Sequence, residues 1–155
     1  MDVVIAELGT RRFAVDLAAV QEVLRLGPVT PVPAAPAVVI GAMNARGSVV
    51  PIVDLGLLLG EGASTPSMGE SGLLIDKDDS QAVLYLGWIH EVVRLRSTQQ
   101  MGTARAGGFS EVLATEQGTL HLVHVERVIA EVLIRVKEQA QRLMSATVER
   151  EGKTD

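Results

Sequence analysis

The chain has 155 residues, 47% of them hydrophobic and only 3% aromatic, so one domain with an aliphatic core is expected. Its net charge is −5 at pH 7 with basic residues scattered along the chain, which argues against nucleic acid as a partner. Cysteine is absent, which excludes disulfides and thiolate metal sites and favours a cytoplasmic location.

The N-terminal segment predicts a β-hairpin. Residues 2–8 and 13–17 are short apolar stretches, and the polar link Gly9-Thr10-Arg11-Arg12 joins them. No basic region with a long apolar run precedes them, and no segment reaches the roughly 20 apolar residues of a membrane helix. Neither a signal peptide nor direct membrane insertion is therefore expected.

Four closely spaced prolines follow the apolar residues 20–26. They are Pro28, Pro31, Pro33 and Pro36, and neither a helix nor a central strand can persist through them. A polyproline ligand is the alternative interpretation, but the prolines lie between two apolar elements, so a plain loop is favoured.

A sharp reversal is predicted between two apolar stretches, residues 37–43 and 48–55. The sequence Asn44-Ala45-Arg46-Gly47 places Asn first and Gly last, as a type I turn prefers. The second stretch is β-branched and reads as a buried strand, with Pro51 at an edge or a bulge.

The rest of the chain alternates strand-like runs with polar segments. Polar, Gly-rich stretches at 60–72 and 97–108 predict loops. The strand-like runs between and after them are residues 73–76, 82–87, 88–95, 109–114 and 119–125.

The spacing of the apolar residues changes in the last segment of the chain. Apolar residues recur at steps of three and four across residues 126–148, which predicts an amphipathic helix. About ten short strands and one terminal helix, divided near residue 65, indicate an all-β fold of two small barrels that share one core.

Reactive side chains are not grouped as an enzyme would require. The three histidines, His90, His121 and His124, have no Ser, Cys or paired carboxylate beside them. His121 and His124 are three apart and would point to opposite faces of a strand, so half-buried or surface imidazoles are expected. No catalytic residue, metal or cofactor is predicted.

The acidic cluster at residues 76–79 could suggest a calcium loop. It lacks the Gly and Glu that such a loop needs, so a solvated hairpin tip is favoured. A small hydrolase that uses Asp16 and Asp54 is kept as a remote alternative, because paired acids could perform acid and base catalysis. We expect these two carboxylates to serve turns and strand ends instead.

Several motifs in the first half resemble those of the CheW family of chemotaxis adaptors. Roughly residues 3–58 match in motif detail: an apolar strand with V-x-E-[IV], a proline loop, then N-L-R-G before a strand that ends P-[IV]-[IV]-D-L. The matching stretches are residues 13–17 (FAVDL), 20–23 (VQEV), 33–36 and 41–55 (GAMNARGSVVPIVDL).

This resemblance implies two five-stranded SH3-like barrels packed together, with a C-terminal helix at 126–148. The whole chain, 1–155, would form one domain whose intertwined halves are roughly 15–65 and 1–14 plus 66–125. The family is non-catalytic and attaches a CheA-type histidine kinase to the cytoplasmic tip helices of chemoreceptors, so recruitment to receptor arrays is also implied.

The resemblance also implies a receptor-binding groove. Glu22 matches the Glu of V-x-E, and Arg46 matches the Arg of N-x-R-G, so an ion pair across the groove is expected. Apolar neighbours would supply most of the affinity. The expected groove residues are Leu17, Val20, Glu22, Val23, Asn44 and Arg46.

The second half departs from the family pattern. Residues 86–89 (LGWI) stand where V-D-x-V is usual, so Gly87 replaces an acidic residue and Trp88 is unusually bulky. Residues 122–125 (LVHV) replace the usual L-D ending, and the polar segment 97–108 is short. A CheW-like modulator that binds receptors or array components without recruiting the kinase is therefore the second hypothesis.

Overall fold

The computed structural model describes residues 1–103 and 107–152. In this part of the chain two β-sheets pack together, and a long helix, α2 (Val125–Gly152), follows the last strand. The strands are β1 (Asp2–Leu8), β2 (Arg11–Asp16), β3 (Glu22–Arg25), β4 (Val39–Ala45), β5 (Ser48–Asp54), β6 (Ser71–Lys77), β7 (Ser80–Tyr85), β8 (Trp88–Arg94), β9 (Thr98–Thr103), β10 (Ser110–Thr115) and β11 (Gly118–Val123).

The predicted fold class, mostly β with a C-terminal helix, is confirmed. The first sheet has the order β8-β1-β2-β11-β10-β9 and the second the order β3-β6-β7-β5-β4. Most neighbours are antiparallel, and β2 with β11 and β5 with β7 are parallel. The first sheet therefore has six strands where five were expected.

The sixth strand, β9, lies in a segment that the sequence predicted to be a loop. Its described side chains are polar or exposed, so no apolar alternation marks it. Its backbone pairs with β10 at the edge of the sheet, and this pairing defines the strand. Hydrogen bonding by the main chain leaves no signature in side-chain polarity.

The division of the chain between the sheets differs from the expected one near residue 65. The first sheet takes its strands from residues 2–16 and 88–123, whereas the second takes them from the continuous segment 22–85. The expectation failed because the polar loop after α1 (Leu55–Leu58) connects β5 to β6 within one sheet.

Three apolar clusters hold the two sheets. One cluster is formed by residues of the first sheet and its connections, including Val3, Ile5 and Leu120, and another is formed by residues of the second sheet and its connections. The third lies between the sheets and joins Phe13 and Leu84 to the first turns of α2. Both faces of each sheet are thus partly buried, as expected for two small barrels that share a core.

The second sheet closes on itself through the proline loop. Thr30, beyond β3, exchanges two backbone hydrogen bonds of 2.8 Å with Ala42 on β4, the strand at the opposite edge. Ala34 has a φ of 58°, which interrupts a polyproline conformation. The plain-loop prediction is therefore confirmed, and this loop connects the two edges of the sheet.

The β8–β9 connection is held by the side chain of Glu116. Its carboxylate accepts hydrogen bonds from the backbone N–H groups of Arg96 and Ser97 and from the Ser97 hydroxyl. These bonds, that of Arg96 first, lower the pKa of Glu116 from 4.5 to about 2.

Because the folded-state pKa is lowered, the stabilisation by Glu116 is full above pH 4.5 and is lost as the pH falls towards 2. We expect Glu116→Gln to have a lower melting temperature than the parent at pH 7. The difference in melting temperature should narrow as the pH falls from 4.5 to about 2. Thermal melts followed by circular dichroism across this range would measure the difference. A constant difference would contradict the assignment.

Candidate functional site

The predicted groove residues lie on β3 and on the hairpin that joins β4 to β5. β3 is an edge strand that pairs only with β6 in the described sheet. Its side chains alternate, so Val23 and Arg25 are exposed while Glu22 and Leu24 are half-buried. An exposed edge strand of four residues is thus available for contact.

The β4–β5 hairpin has a two-residue turn formed by Arg46 and Gly47. Their φ angles are 51° and 84°, and Ala45 pairs with Ser48, which is a type I′ geometry. The predicted type I turn is wrong here, because a two-residue hairpin favours the mirror-image turn that matches strand twist. Asn44 Oδ1 accepts a 2.9 Å hydrogen bond from Gly47 N and holds this turn.

The turn places Arg46 against Glu22. Nε of Arg46 lies 2.8 Å from Oε2 of Glu22, so the expected ion pair is present. The Arg46 side chain is 72% exposed and that of Glu22 is 30% exposed. Glu22 Oε2 is shielded from solvent and has no hydrogen-bond donor within the described chain, so its contact with the guanidinium is an electrostatic one.

Leu17 begins a single 3₁₀ turn (Leu17–Ala19) between β2 and β3, and Val20 follows it. Both are half-buried and pack against the cluster shared by the two sheets. Val23, by contrast, is 43% exposed. Of the three apolar residues expected in the groove, Val23 therefore offers the most surface, while Leu17 and Val20 are partly covered by the shared core.

A cleft of about 550 Å³ lies beside β3 and was missed by the sequence analysis. It is lined by Arg25 of β3, by the 68–71 segment and by the start of β8. Met68 and Trp88 are each 69% exposed at its walls. Trp88 was noted only as a departure from the family pattern, and its size was the one available signal.

Three contacts involve residues at or beside the cleft walls. The Trp88 ring meets His90 edge-on, with the ring centroids 6.2 Å apart, and His90 Nε2 lies 3.1 Å from Oε2 of Glu7. On the other wall, the Tyr85 hydroxyl donates a 3.2 Å hydrogen bond to Glu70. Burial and the nearby Glu70 charge raise the pKa of Tyr85 to about 12, so the hydroxyl keeps its proton.

The two carboxylates of the hydrolase alternative serve backbone groups, as expected. Asp16 Oδ1 accepts from Ala18 N at 3.0 Å. Asp54 is buried, and its two oxygens accept from Leu57 N at 3.2 Å and Ser64 N at 2.7 Å. Each carboxylate thus caps a local turn.

The histidines occupy separate environments. His121 packs against the Phe13 ring at 5.3 Å, and burial lowers its pKa. His124 Nε2 is 4.0 Å from Glu111. The acidic residues 76–79 lie at the tip of the β6–β7 hairpin, as predicted. Across residues 1–103 and 107–152, no three His, Asp or Glu side chains are grouped as metal ligands.

Comparisons with known proteins agree with the resemblance to the CheW family that the motifs of the first half indicate. A family model described as "CheW-like domain" matches residues 2–133. The chemotaxis protein CheW of Rhizobium meliloti is 44% identical over 61 residues, which cover 39% of each chain. The probable chemotaxis protein CheW of Rhizobium etli is 37% identical over 60 residues, again 39% of each chain. The matched stretch thus spans about two fifths of these curated relatives.

A solved structure has a similar fold. The scaffolding protein TtCheW from Thermoanaerobacter tengcongensis superposes with a TM-score of 0.67 at 21% identity, covering 79% of this chain and 82% of that one. At 21% sequence identity, this similarity supports the fold alone. Within the described residues, no helix has the length and hydropathy that crossing a bilayer would require.

Proposed function

Because the chain belongs to the CheW-like domain family, we propose that it is a non-catalytic adaptor of a chemosensory system, one that couples receptor tip helices to a CheA-type histidine kinase. The observation that carries this role is the β3 surface, which we define as Glu22, Val23, Arg25 and Arg46 with the adjoining cleft walls Met68 and Trp88.

The β3 surface has the features that recognition of a helix needs. Val23, Met68 and Trp88 present exposed apolar groups, and Trp is enriched among residues that dominate binding energy. Arg46 and Glu22 add paired opposite charges at one end, which can fix the register of a bound helix. An amphipathic receptor helix is the partner that this surface fits.

A second candidate is a modulator that occupies receptors without recruiting the kinase. The departures at Gly87 and Trp88 favour it, because they alter the connection between the two sheets and one wall of the cleft. Pull-downs with separate receptor-tip and kinase fragments distinguish the candidates. Capture of both fragments in one complex supports the adaptor, and capture of the receptor alone supports the modulator. Binding of neither would reject both.

Arg46→Glu is expected to weaken binding of a receptor-tip fragment by about tenfold, or 1.4 kcal/mol. The substitution places two carboxylates where a pair of opposite charges stood. Its effect on folding is small, within about 1 kcal/mol, because the Arg46 side chain is largely exposed. Isothermal titration calorimetry and a urea melt on the same sample would measure both quantities.

The double variant Glu22→Arg with Arg46→Glu is the matched control, since it keeps an ion pair and reverses its polarity. If the receptor reads the charges, binding stays weak in the double variant. Recovery of normal affinity would show that the pair only maintains the shape of the hairpin.

A further inference from the structure

The second half of α2 extends past the body of the protein. Val132 is the last buried residue of this helix among those whose side chains are described, and none from 133 to 147 is buried. The family model also ends at residue 133, while the helix continues to Gly152. Helices in water depend on packing of an apolar face, so this extension needs a partner for that face.

Three exposed apolar residues of the extension, Leu133, Val136 and Leu143, lie along one seam of the helix, whereas Ile134 lies outside it. The seam begins at Ile129, which is half-buried against the core. The seam residues recur with spacings of four, three, four, three and four, which is the period of a two-stranded coiled coil. Leu133, Val136 and Leu143 are 42–47% exposed. The seam consists of Ile129, Leu133, Val136, Ala140, Leu143 and Thr147.

The charges of the extension lie opposite the seam. At about 100° per residue, Glu131, Arg135, Glu138 and Arg142 all fall on the far side of the helix. They have both signs, and Arg135 Nε already pairs with Glu131 at 3.0 Å. Only Lys137 flanks the seam among the charged residues from 129 to 147.

This distribution of charges favours a second copy of the same helix as the partner. An anionic membrane or an acidic protein would select a basic flank, which the seam lacks. A second copy of the same helix needs no complementary charge, because in parallel pairing each seam residue meets its own counterpart. In that arrangement Leu, Val and Ala stack in layers, and no like charges are forced together in the core.

We propose that α2 forms a coiled-coil contact with α2 of a second copy of this chain. This inference goes beyond the proposed adaptor role and does not depend on it. The seam covers 19 residues, or about 27 Å of helix, which is shorter than the three to four heptads of a strong coiled coil. The interface is also small, so dissociation constants between about 10 μM and 1 mM are expected.

Sedimentation equilibrium on the full chain, at concentrations up to about 1 mM, tests the contact. A monomer–dimer equilibrium is expected for the parent protein. Leu143→Glu should be monomeric throughout, because it places a charge within the apolar seam. Circular dichroism should show that this variant stays folded, since Leu143 is already 46% exposed.

Ile134→Glu is the matched control. Ile134 is 50% exposed on the same helix but lies about 140° from the centre of the seam, so its variant should dimerise like the parent. A parent protein that is monomeric at every concentration would overturn the proposal. So would equal loss of dimer in both variants, or binding to phosphatidylcholine–phosphatidylglycerol vesicles that Leu143→Glu abolishes while the parent stays monomeric.

Discussion

Gly87→Ala is expected to lower the free energy of unfolding by about 3 kcal/mol and the melting temperature by about 10 °C. Gly87 has a φ of +62°, where an L-residue costs about 1–2 kcal/mol. A Cβ there would also overlap the backbone carbonyl oxygen of Glu7 on β1, which cannot move without disturbing the sheet. Overpacking of this kind adds about 1–3 kcal/mol.

Gly118→Ala separates these two contributions. Gly118 also has a positive φ, +90°, but a Cβ there meets no atom within 4 Å. Its substitution should cost only the conformational part, about 1–2 kcal/mol. Equal urea midpoints for the two variants would contradict the predicted overlap with Glu7.

Asp54→Ala is expected to destabilise the fold by about 3 kcal/mol. Asp54 is 2% exposed, and its carboxylate caps α1 through Leu57 N and fixes the following loop through Ser64 N. Hydrogen bonds to a charged group contribute about 1.5–3 kcal/mol, and the substitution leaves two backbone donors without this acceptor. Equilibrium urea unfolding would measure the loss.

Asp16→Ala provides the comparison for Asp54. Asp16 also caps a turn, but through one exposed hydrogen bond, so its loss should cost only about 1 kcal/mol. The ratio of the two effects tests whether burial sets the value of a cap. If Asp54→Ala were as mild as Asp16→Ala, its carboxylate would not hold the α1 region.

The fold class could be predicted because apolar periodicity reports burial directly. The hairpin at residues 2–17 was predicted from two short apolar stretches joined by a polar link with Gly, and the helix after residue 125 from its period of 3.6. β9 was missed because its described side chains are polar or exposed and main-chain pairing alone defines it. The partition into sheets was misjudged because strand order depends on long-range pairing, which no local pattern encodes.

The candidate site was only partly predictable. The motif positions Glu22 and Arg46 gave an ion pair that the structure confirms. The cleft beside Arg25 could not be found, because Arg25 is more than 40 residues away in the chain from the other segments that line it. The type I′ turn was missed because Arg46, which is not a glycine, has a positive φ.

The nested order of the strands also affects how the protein is made. The whole second sheet lies between residues 22 and 85, so a growing polypeptide can complete it before β8 has left the ribosome. Both edges of the β1–β2 hairpin meanwhile lack partners, because β1 pairs with β8 and β2 pairs with β11. The order of synthesis therefore allows the sheet that carries Glu22 and Arg46 to form before the first sheet has all of its strands.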